Sequence, residues 1–487
     1  MTLSERLRRV AAAQPDAPAL TVAGETLTYA ALFARAETLA ADLATLPEGS
    51  TVAILGQRDL SAYLGVLACA LAGRAFVPVN PGFPEDRQQM ILDGAEAAAM
   101  IVSPDQALRA AQLAGPSRLY LGEDFSATGA LPTTAPQGPR ACYMMFTSGT
   151  TGRPKGVRVT ESNLLAYLDA IAPIAAIGPG DRTSQFFDLS FDLAIHDLFV
   201  TWTAGAELIV LPKTESLAIG DFARREKLTH WFSVPSLAAF ASRMGQIAPG
   251  SLPDLKTVLF CGEPLPVSLA ETMQAAAPQA RHWNLYGPTE ATIAFTAYEI
   301  RKDRPLTGFQ TVPLGKAIGG QHLHLIRQTA PHGLSELLLG GDQVTPGYLD
   351  PEATEKAFTE AFGMRWYRTG DLVRRDPEHG LIFEGRKDDQ VKINGYRVEL
   401  AEIDAVLRAV ADTPQVAALP APTPDGAGRE IIAYVAGSTV SAAEIRRACR
   451  ASLPVYMVPR RVVLLDAMPV TASGKIDRHA LRTMEQA

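Results

Sequence analysis

One stretch limits the possible folds more than any other: Phe146-Thr147-Ser148-Gly149-Thr150-Thr151-Gly152-Arg153-Pro154-Lys155-Gly156-Val157. The apolar-rich run 141–146 leads into it and predicts a strand. Three glycines, four hydroxyl residues and a lysine follow. Glycine lets the backbone turn sharply and bring its N–H groups close to a ligand. Successive N–H groups in such a turn form a concavity for anions. Ser and Thr hydroxyls add donors and Lys155 adds positive charge, which is chemistry for a polyphosphate. The spacing is not that of a Walker loop, because Arg153-Pro154 interrupt it and Gly156 follows the lysine. A loop rich in glycine and threonine is also what an ordinary flexible turn looks like, so the remaining motifs have to decide.

The surrounding order of elements predicts parallel sheets. Residues 51–55 read as a buried strand, 62–71 as an apolar helix and 75–79 as another strand. Such alternation places helices outside a parallel sheet. Thr2 and Glu5 have capping-box spacing before a first helix, and residues 122–140, rich in Gly, Pro, Ala and Thr, read as a loop. At 487 residues the chain is too long for one core, so two or more domains are expected. A net charge of −7 offers no broad basic surface to nucleic acid or anionic lipid. The segment 1–7 lacks the apolar core of a signal peptide, and no apolar run is long enough to predict a membrane span. Cys69, Cys142, Cys261 and Cys449 are far apart and form no CxxC pair, which suits a reducing compartment; a cytoplasmic location is expected.

Further motifs follow in order. In 186–199, Asp188 and Asp192 sit in a heavily apolar setting. Either suits the start of a helix, where Asp caps and complements the dipole; a desolvated carboxylate is otherwise costly unless paired. Residues 255–265 predict a strand ending at Gly262, and 335–341 another. In Asn284-Leu285-Tyr286-Gly287-Pro288-Thr289-Glu290-Ala291-Thr292, Gly-Pro marks a turn and the tyrosine offers a flat face for a base. Thr289 and Glu290 offer oxygen ligands suited to Mg²⁺, although a turn with a surface Glu is the plain reading. Tyr367-Arg368-Thr369-Gly370-Asp371-Leu372 places an aspartate after a Thr-Gly turn, either to accept two hydroxyls or as an Asx-turn. The polar run 385–399 separates the long first part from the last hundred residues, and a domain boundary is expected near Asp388. Beyond it, Ile403, Val406, Leu407 and Val410 predict an amphipathic helix, 430–435 a strand, Ser441 and Glu444 a capping box, and 461–465 a strand. Lys475 lies in a terminal loop, where a lysine is ordinarily solvent-facing.

Taken together, these strings resemble the adenylate-forming superfamily of acyl-CoA synthetases, luciferases and peptide-synthetase adenylation domains. The resemblance covers nearly the whole chain, with about six motifs in the expected order. It implies an α/β fold: a large N-terminal domain of parallel-rich sheets flanked by helices (1–387) and a small mobile α+β C-terminal domain (388–487). It implies ATP and Mg²⁺ as cofactors. Thr147, Ser148, Gly149, Thr150, Thr151, Gly152 and Lys155 would cradle the phosphates, and Tyr286, Gly287 and Thr289 would form the adenine motif with Glu290 on the metal. Asp371, with Arg386, would orient the nucleotide. Lys475, carried by the small domain about a hinge at Asp388, would stabilise the transition state, and a thiol tunnel would open beside Gly395.

The same resemblance, closest to stand-alone amino-acid adenylation enzymes of the D-alanine-activating kind, puts a substrate-ammonium aspartate at Asp192. Leu193, His196, Phe232, Leu259, Cys261, Leu285, Ile293 and Ala294 would line the side-chain pocket. It implies an acid–thiol ligase, AMP-forming, that adenylates a small α-amino acid and transfers it to the thiol of a phosphopantetheinyl carrier protein. D-Alanine is favoured. His196 departs from the apolar residue expected there, which leaves glycine, serine or another small amino acid open. The sequence holds no carrier segment after Arg478, so the carrier is expected on a separate chain. An acyl-CoA synthetase handing a non-amino acid to CoA is the alternative. A monomer or weak dimer without nucleic-acid or membrane partners is expected.

Overall fold

The computed structural model describes residues 1–116, 118–122, 140–149, 154–327, 333–423, 429–471 and 476–486. Thr150, Thr151, Gly152 and Lys475 lie outside these, as does most of the loop expected over 122–140. The chain forms two compact units. One comprises Met1–Pro81, Leu92–Phe146 and Gly156–Lys387; the other comprises Gly82–Ile91, Thr147–Lys155 and Asp388–Ala487.

The first unit is built on three sheets. In the largest, the parallel strands Pro18–Val22, Glu207–Val210, Arg182–Gln185, His230–Ser233, Thr257–Phe260 and Arg281–Tyr286 lie side by side, and antiparallel strands close both edges. In the second, Thr51–Leu55 pairs in parallel with Ala75–Val79 and with Ala97–Val102. Every residue of Thr51–Leu55 and Ala75–Val79 is buried. Strands covered on both faces read as continuous apolar runs, which is why they stand out in the sequence. The third sheet is antiparallel and contains Ser335–Gly340, Met364–Asp376 and Gly380–Arg386.

Helices fill the faces. Leu60–Ala72 is buried along its whole length. It begins two residues before the expected apolar run because Asp59 caps it, accepting from the Ala62 N–H at 3.1 Å. The helix Glu161–Ala175 runs past Pro173, which removes one i→i−4 hydrogen bond from its last turns. The first helix, Leu3–Ala13, carries the complete Thr2/Glu5 capping box. Among the described residues, no helix is long and apolar enough to cross a membrane.

The second unit holds the hairpin Gln390–Ile393/Tyr396–Glu399, the sheet Val416–Pro422/Arg429–Ala436/Arg461–Leu465 and the helices Leu400–Ala411 and Ala442–Ser452. The hairpin turns at Asn394 (φ 49°) and Gly395 (φ 82°). Two left-handed residues match the twist of the paired strands, and Asn-Gly adopts them at least cost. Ile403 and Leu407 pack into this unit's core with Ile445 and Cys449. Inside it, Arg87 and Glu402 form an ion pair at 2.5 Å, both less than a tenth exposed. Burial raises the Glu402 pKa and Arg87 opposes the rise.

All four cysteines are free and buried. Burial pushes the thiols of Cys69 and Cys142 well up and that of Cys449 to about 11.

The Arg87–Glu402 pair yields a stability test. Arg87→Ala leaves a buried carboxylate uncompensated and is expected to cost about 3–5 kcal/mol in chemical unfolding. Arg87→Met with Glu402→Leu is expected to recover most of that loss; a double variant as unstable as the single one contradicts the reading.

Candidate active site

The strand Arg281–Tyr286 ends in a tight turn. A Cβ on Gly287 would stand 2.7 Å from the Ala294 Cα and from the Ile293 carbonyl, so the backbone closes there only with glycine. Thr289–Ala291 forms one short 3-10 turn, and Thr292 (φ 57°) and Ile293 (φ 71°) then both adopt left-handed backbone. Such backbone is strained for β-branched residues and clusters at functional sites. The buried Gln343 holds it. Its side-chain amide donates to the Ala294 carbonyl at 2.8 Å, its backbone carbonyl accepts from the Thr292 hydroxyl at 2.7 Å, and the Thr345 N–H donates to the Glu290 carbonyl at 2.9 Å.

This turn aims two groups of residues. Glu290 is buried and its Oε1 accepts from the Tyr348 hydroxyl at 2.6 Å. A hard carboxylate beside the Thr289 hydroxyl fits Mg²⁺, which takes few protein carboxylates and keeps water and phosphate oxygens. Among the described residues no cluster of three or more His, Cys, Asp or Glu could hold a metal, so an ion at Glu290 draws its other ligands from elsewhere.

Tyr286 donates its hydroxyl to Asp371 Oδ2 at 2.5 Å. Asp371 lies directly across the strand pair from Arg386, whose guanidinium bonds the other carboxylate oxygen and reaches the Thr369 carbonyl at 3.1 Å. The Thr369 hydroxyl fixes the Asp371 N–H at 2.9 Å. Burial, then the Asp371 carboxylate, pushes the Tyr286 phenol far up, so it stays a donor. Each carboxylate oxygen retains acceptor capacity for a further hydroxyl.

Of the nine residues assigned to the side-chain pocket, seven belong to one buried apolar cluster, and His196 packs on it through Phe232. Asp192 stands at the N-terminal cap position of the helix Leu193–Ala204, and His196 follows one turn later. Asp192 makes no side-chain cap bond, and Asp188, the other candidate cap, lies outside the helix and instead sits 4.0 Å from Arg58. The helix begins later than the apolar run suggests because residues 188–191 form turns. Phe232 and Leu259 are direct partners on neighbouring parallel strands. They join Leu193, Cys261, Leu285, Ile293 and Ala294 in one buried apolar cluster. The His196 ring lies 4.3 Å from the Phe232 ring, and its Nδ1 is 2.5 Å from the Tyr167 hydroxyl. Burial, with His230 adding to it, pushes the His196 pKa down to about 3. Its contribution to stability is complete above the ordinary value of 6.5 and is lost as pH falls from there towards 3. Tyr143, also fully buried, carries a hydroxyl without a hydrogen-bond partner.

In the second unit, the Ser148 hydroxyl donates to the Arg397 carbonyl at 2.7 Å and accepts from the Glu399 N–H at 3.2 Å. Lys155 lies near enough to Glu399 to oppose the burial that raises its pKa. Thr147 and Gly149 flank Ser148, and Asp388 opens the C-terminal segment of this unit. Tyr167, Gln343, Tyr348 and Thr369 were not singled out from the sequence. Each acts through a partner at least 29 positions away, except Thr369 beside Asp371, so no local pattern marks them.

Comparison with known proteins adds the following. Residues 7–349 match the AMP-binding enzyme family, and residues 402–475 match the AMP-binding enzyme C-terminal domain. Novobiocin biosynthesis protein H of Streptomyces niveus is 36% identical over 99% of this chain and 82% of that protein. The D-alanine–D-alanyl carrier protein ligase of Lacticaseibacillus casei (strain BL23) is 33% identical over 97% of both. The crystal structure of the Vibrio cholerae adenylation domain AlmE, in complex with glycyl-adenosine-5'-phosphate, superimposes with a TM-score of 0.90 at 31% identity, covering 99% of this chain and 97% of that one.

Gln343→Leu keeps a similar volume and removes the side-chain amide's bonds to the strained turn, while the backbone bonds at Gln343 and Thr345 remain. It is expected to cost about 1–3 kcal/mol, the penalty for orphaned buried carbonyls, measured by chemical unfolding; an unchanged midpoint contradicts the anchoring role.

Proposed function

The chain belongs to the AMP-binding enzyme family and is an AMP-forming ligase that activates a carboxylic acid as its adenylate; on that premise we propose that the acid is a small α-amino acid and the final acceptor a carrier-protein thiol. The observation that carries this reading is Asp192, a carboxylate only 5% exposed at the mouth of an apolar cluster. A substrate ammonium is a favourable counter-charge for a carboxylate held in such a setting. Large neighbours such as Phe232 and Leu259 leave room for a short side chain. The glycyl-adenylate seen in AlmE and the carrier ligase of Lacticaseibacillus casei support the same class. By resemblance D-alanine is the favoured member, and His196 leaves glycine, serine or another small amino acid open.

Both cofactors fit the residues present. ATP would place its ribose hydroxyls on Asp371 and its base beside Tyr286, while the loop at Ser148 and Lys155 would hold the phosphates. Mg²⁺, when bound, supplies neutralisation of polyphosphate charge, and Glu290 with Thr289 would hold it. The chain's own contribution to the first step is positioning and electrostatics. Asp192 orients the amino acid through its ammonium, so that the carboxylate oxygen faces the α-phosphate. That oxygen attacks phosphorus, pyrophosphate departs, and Lys475 stabilises the charge that moves between them. In the second step a phosphopantetheine thiol displaces AMP. The small domain would turn about Asp388 between the two steps and so act as a gate.

A pyrophosphate-exchange panel of small D- and L-amino acids, with non-amino acids as controls, tests the reading, followed by a choice of CoA or carrier protein as acceptor. Exchange restricted to non-amino acids overturns it. Asp192→Ala is expected to weaken amino-acid binding by about 2–5 kcal/mol, the cost of removing one partner of a buried charge pair. Lys475→Ala is expected to slow adenylation at least ~100-fold while transfer from preformed adenylate continues; equal loss of both steps contradicts the gate. Cys261→Ala is expected to relax the D/L ratio, and an unchanged ratio removes the argument for D-alanine.

A further inference from the structure

Tyr167, on the helix Glu161–Ala175, bonds the one polar side chain that departs from an apolar pocket wall. Its hydroxyl and His196 Nδ1 are 2.5 Å apart, with both residues enclosed. Either atom could carry the proton, but the surroundings decide. The Tyr167 hydroxyl makes no other hydrogen bond among the described residues. A buried O–H left without an acceptor is costly, so the phenolic proton points at Nδ1 and Nδ1 accepts it. Burial and the neighbouring His230 keep the imidazole neutral over the physiological range. A neutral ring that accepts at Nδ1 carries its one proton on Nε2. That N–H donates to no described residue.

A leftover donor in a buried wall asks for an acceptor from the substrate. The acceptor has to be neutral. The ring carries no charge to balance an acid, and Asp192, one helical turn away, opposes a second carboxylate. A cationic side chain would meet a donor where it needs an acceptor. A short hydroxyl meets all these conditions and fits beside Phe232, 4.3 Å from the imidazole.

We infer that the pocket selects a small α-amino acid bearing a side-chain hydroxyl, and that Tyr167 is the positioning residue that sets this choice by holding His196 as its Nε2–H tautomer. The inference rests on the amino-acid reading above and, among the small amino acids that His196 leaves open there, selects serine or threonine.

Near-isosteric pairs test it on the full-length enzyme: serine against 2-aminobutyrate, and threonine against valine, as both enantiomers, in pyrophosphate exchange. The hydroxyl member of at least one pair is expected to lead by tenfold or more in kcat/KM, the size of one good buried hydrogen bond. Tyr167→Phe is expected to bring that ratio to within about threefold, and His196→Leu to invert it. Should either variant fail to fold, ¹⁵N resonances of the wild-type histidines provide the same decision, with His196 Nδ1 expected as the unprotonated nitrogen. Equal rates within both pairs, a faster apolar member, or a proton on Nδ1 overturns the inference alone. Exchange with no amino acid at all overturns the amino-acid reading as well.

Discussion

The site depends on a backbone reversal that the chain does not adopt willingly. Thr292 and Ile293 both occupy left-handed backbone, at a cost of roughly 1–3 kcal/mol each for residues of this type. The surroundings over-determine the turn. Gln343 and the Thr345 N–H hold it by hydrogen bonds from a distant loop, and Gly287 lets the preceding strand pass within van der Waals distance. The result is compact. Within ten residues of chain the same turn presents Tyr286 to Asp371, buries Glu290 against Tyr348, and returns Ile293 and Ala294 to the apolar cluster. The residues proposed for nucleotide, metal and substrate thus share one piece of strained backbone.

Around that turn the pocket uses polar groups sparingly. The proposed wall is apolar apart from Asp192 and the Tyr167–His196 pair, and burial leaves that pair little choice of charge state. A neutral imidazole and a protonated phenol follow from desolvation. Pre-organised groups of this kind discriminate by what they leave unpaired when the wrong ligand enters.

How much of this was legible in the sequence varied with the physics. Strands covered on both faces, such as Thr51–Leu55 and Ala75–Val79, are visible because nothing polar interrupts them. Capping boxes at Thr2/Glu5 and Ser441/Glu444 are local, and both form as their spacing predicts. The convergence of seven pocket residues from four separate segments was not deducible from periodicity and came from resemblance. Asn394-Gly395 shows the opposite case, since this turn signal was present but hidden within a run read as a charged connector. Gln343, Tyr348 and Tyr167 were invisible, because a hydrogen bond to a distant partner leaves no mark on neighbouring residues.

The burial of the cysteines bears on chemical self-protection. A ligase of this family builds a mixed anhydride that any accessible thiolate could intercept. Here Cys69, Cys142 and Cys449 sit within the packed interior and hold their protons tightly. Nucleophilicity at sulfur belongs to the deprotonated form. These three side chains are therefore poor scavengers of an activated acyl group.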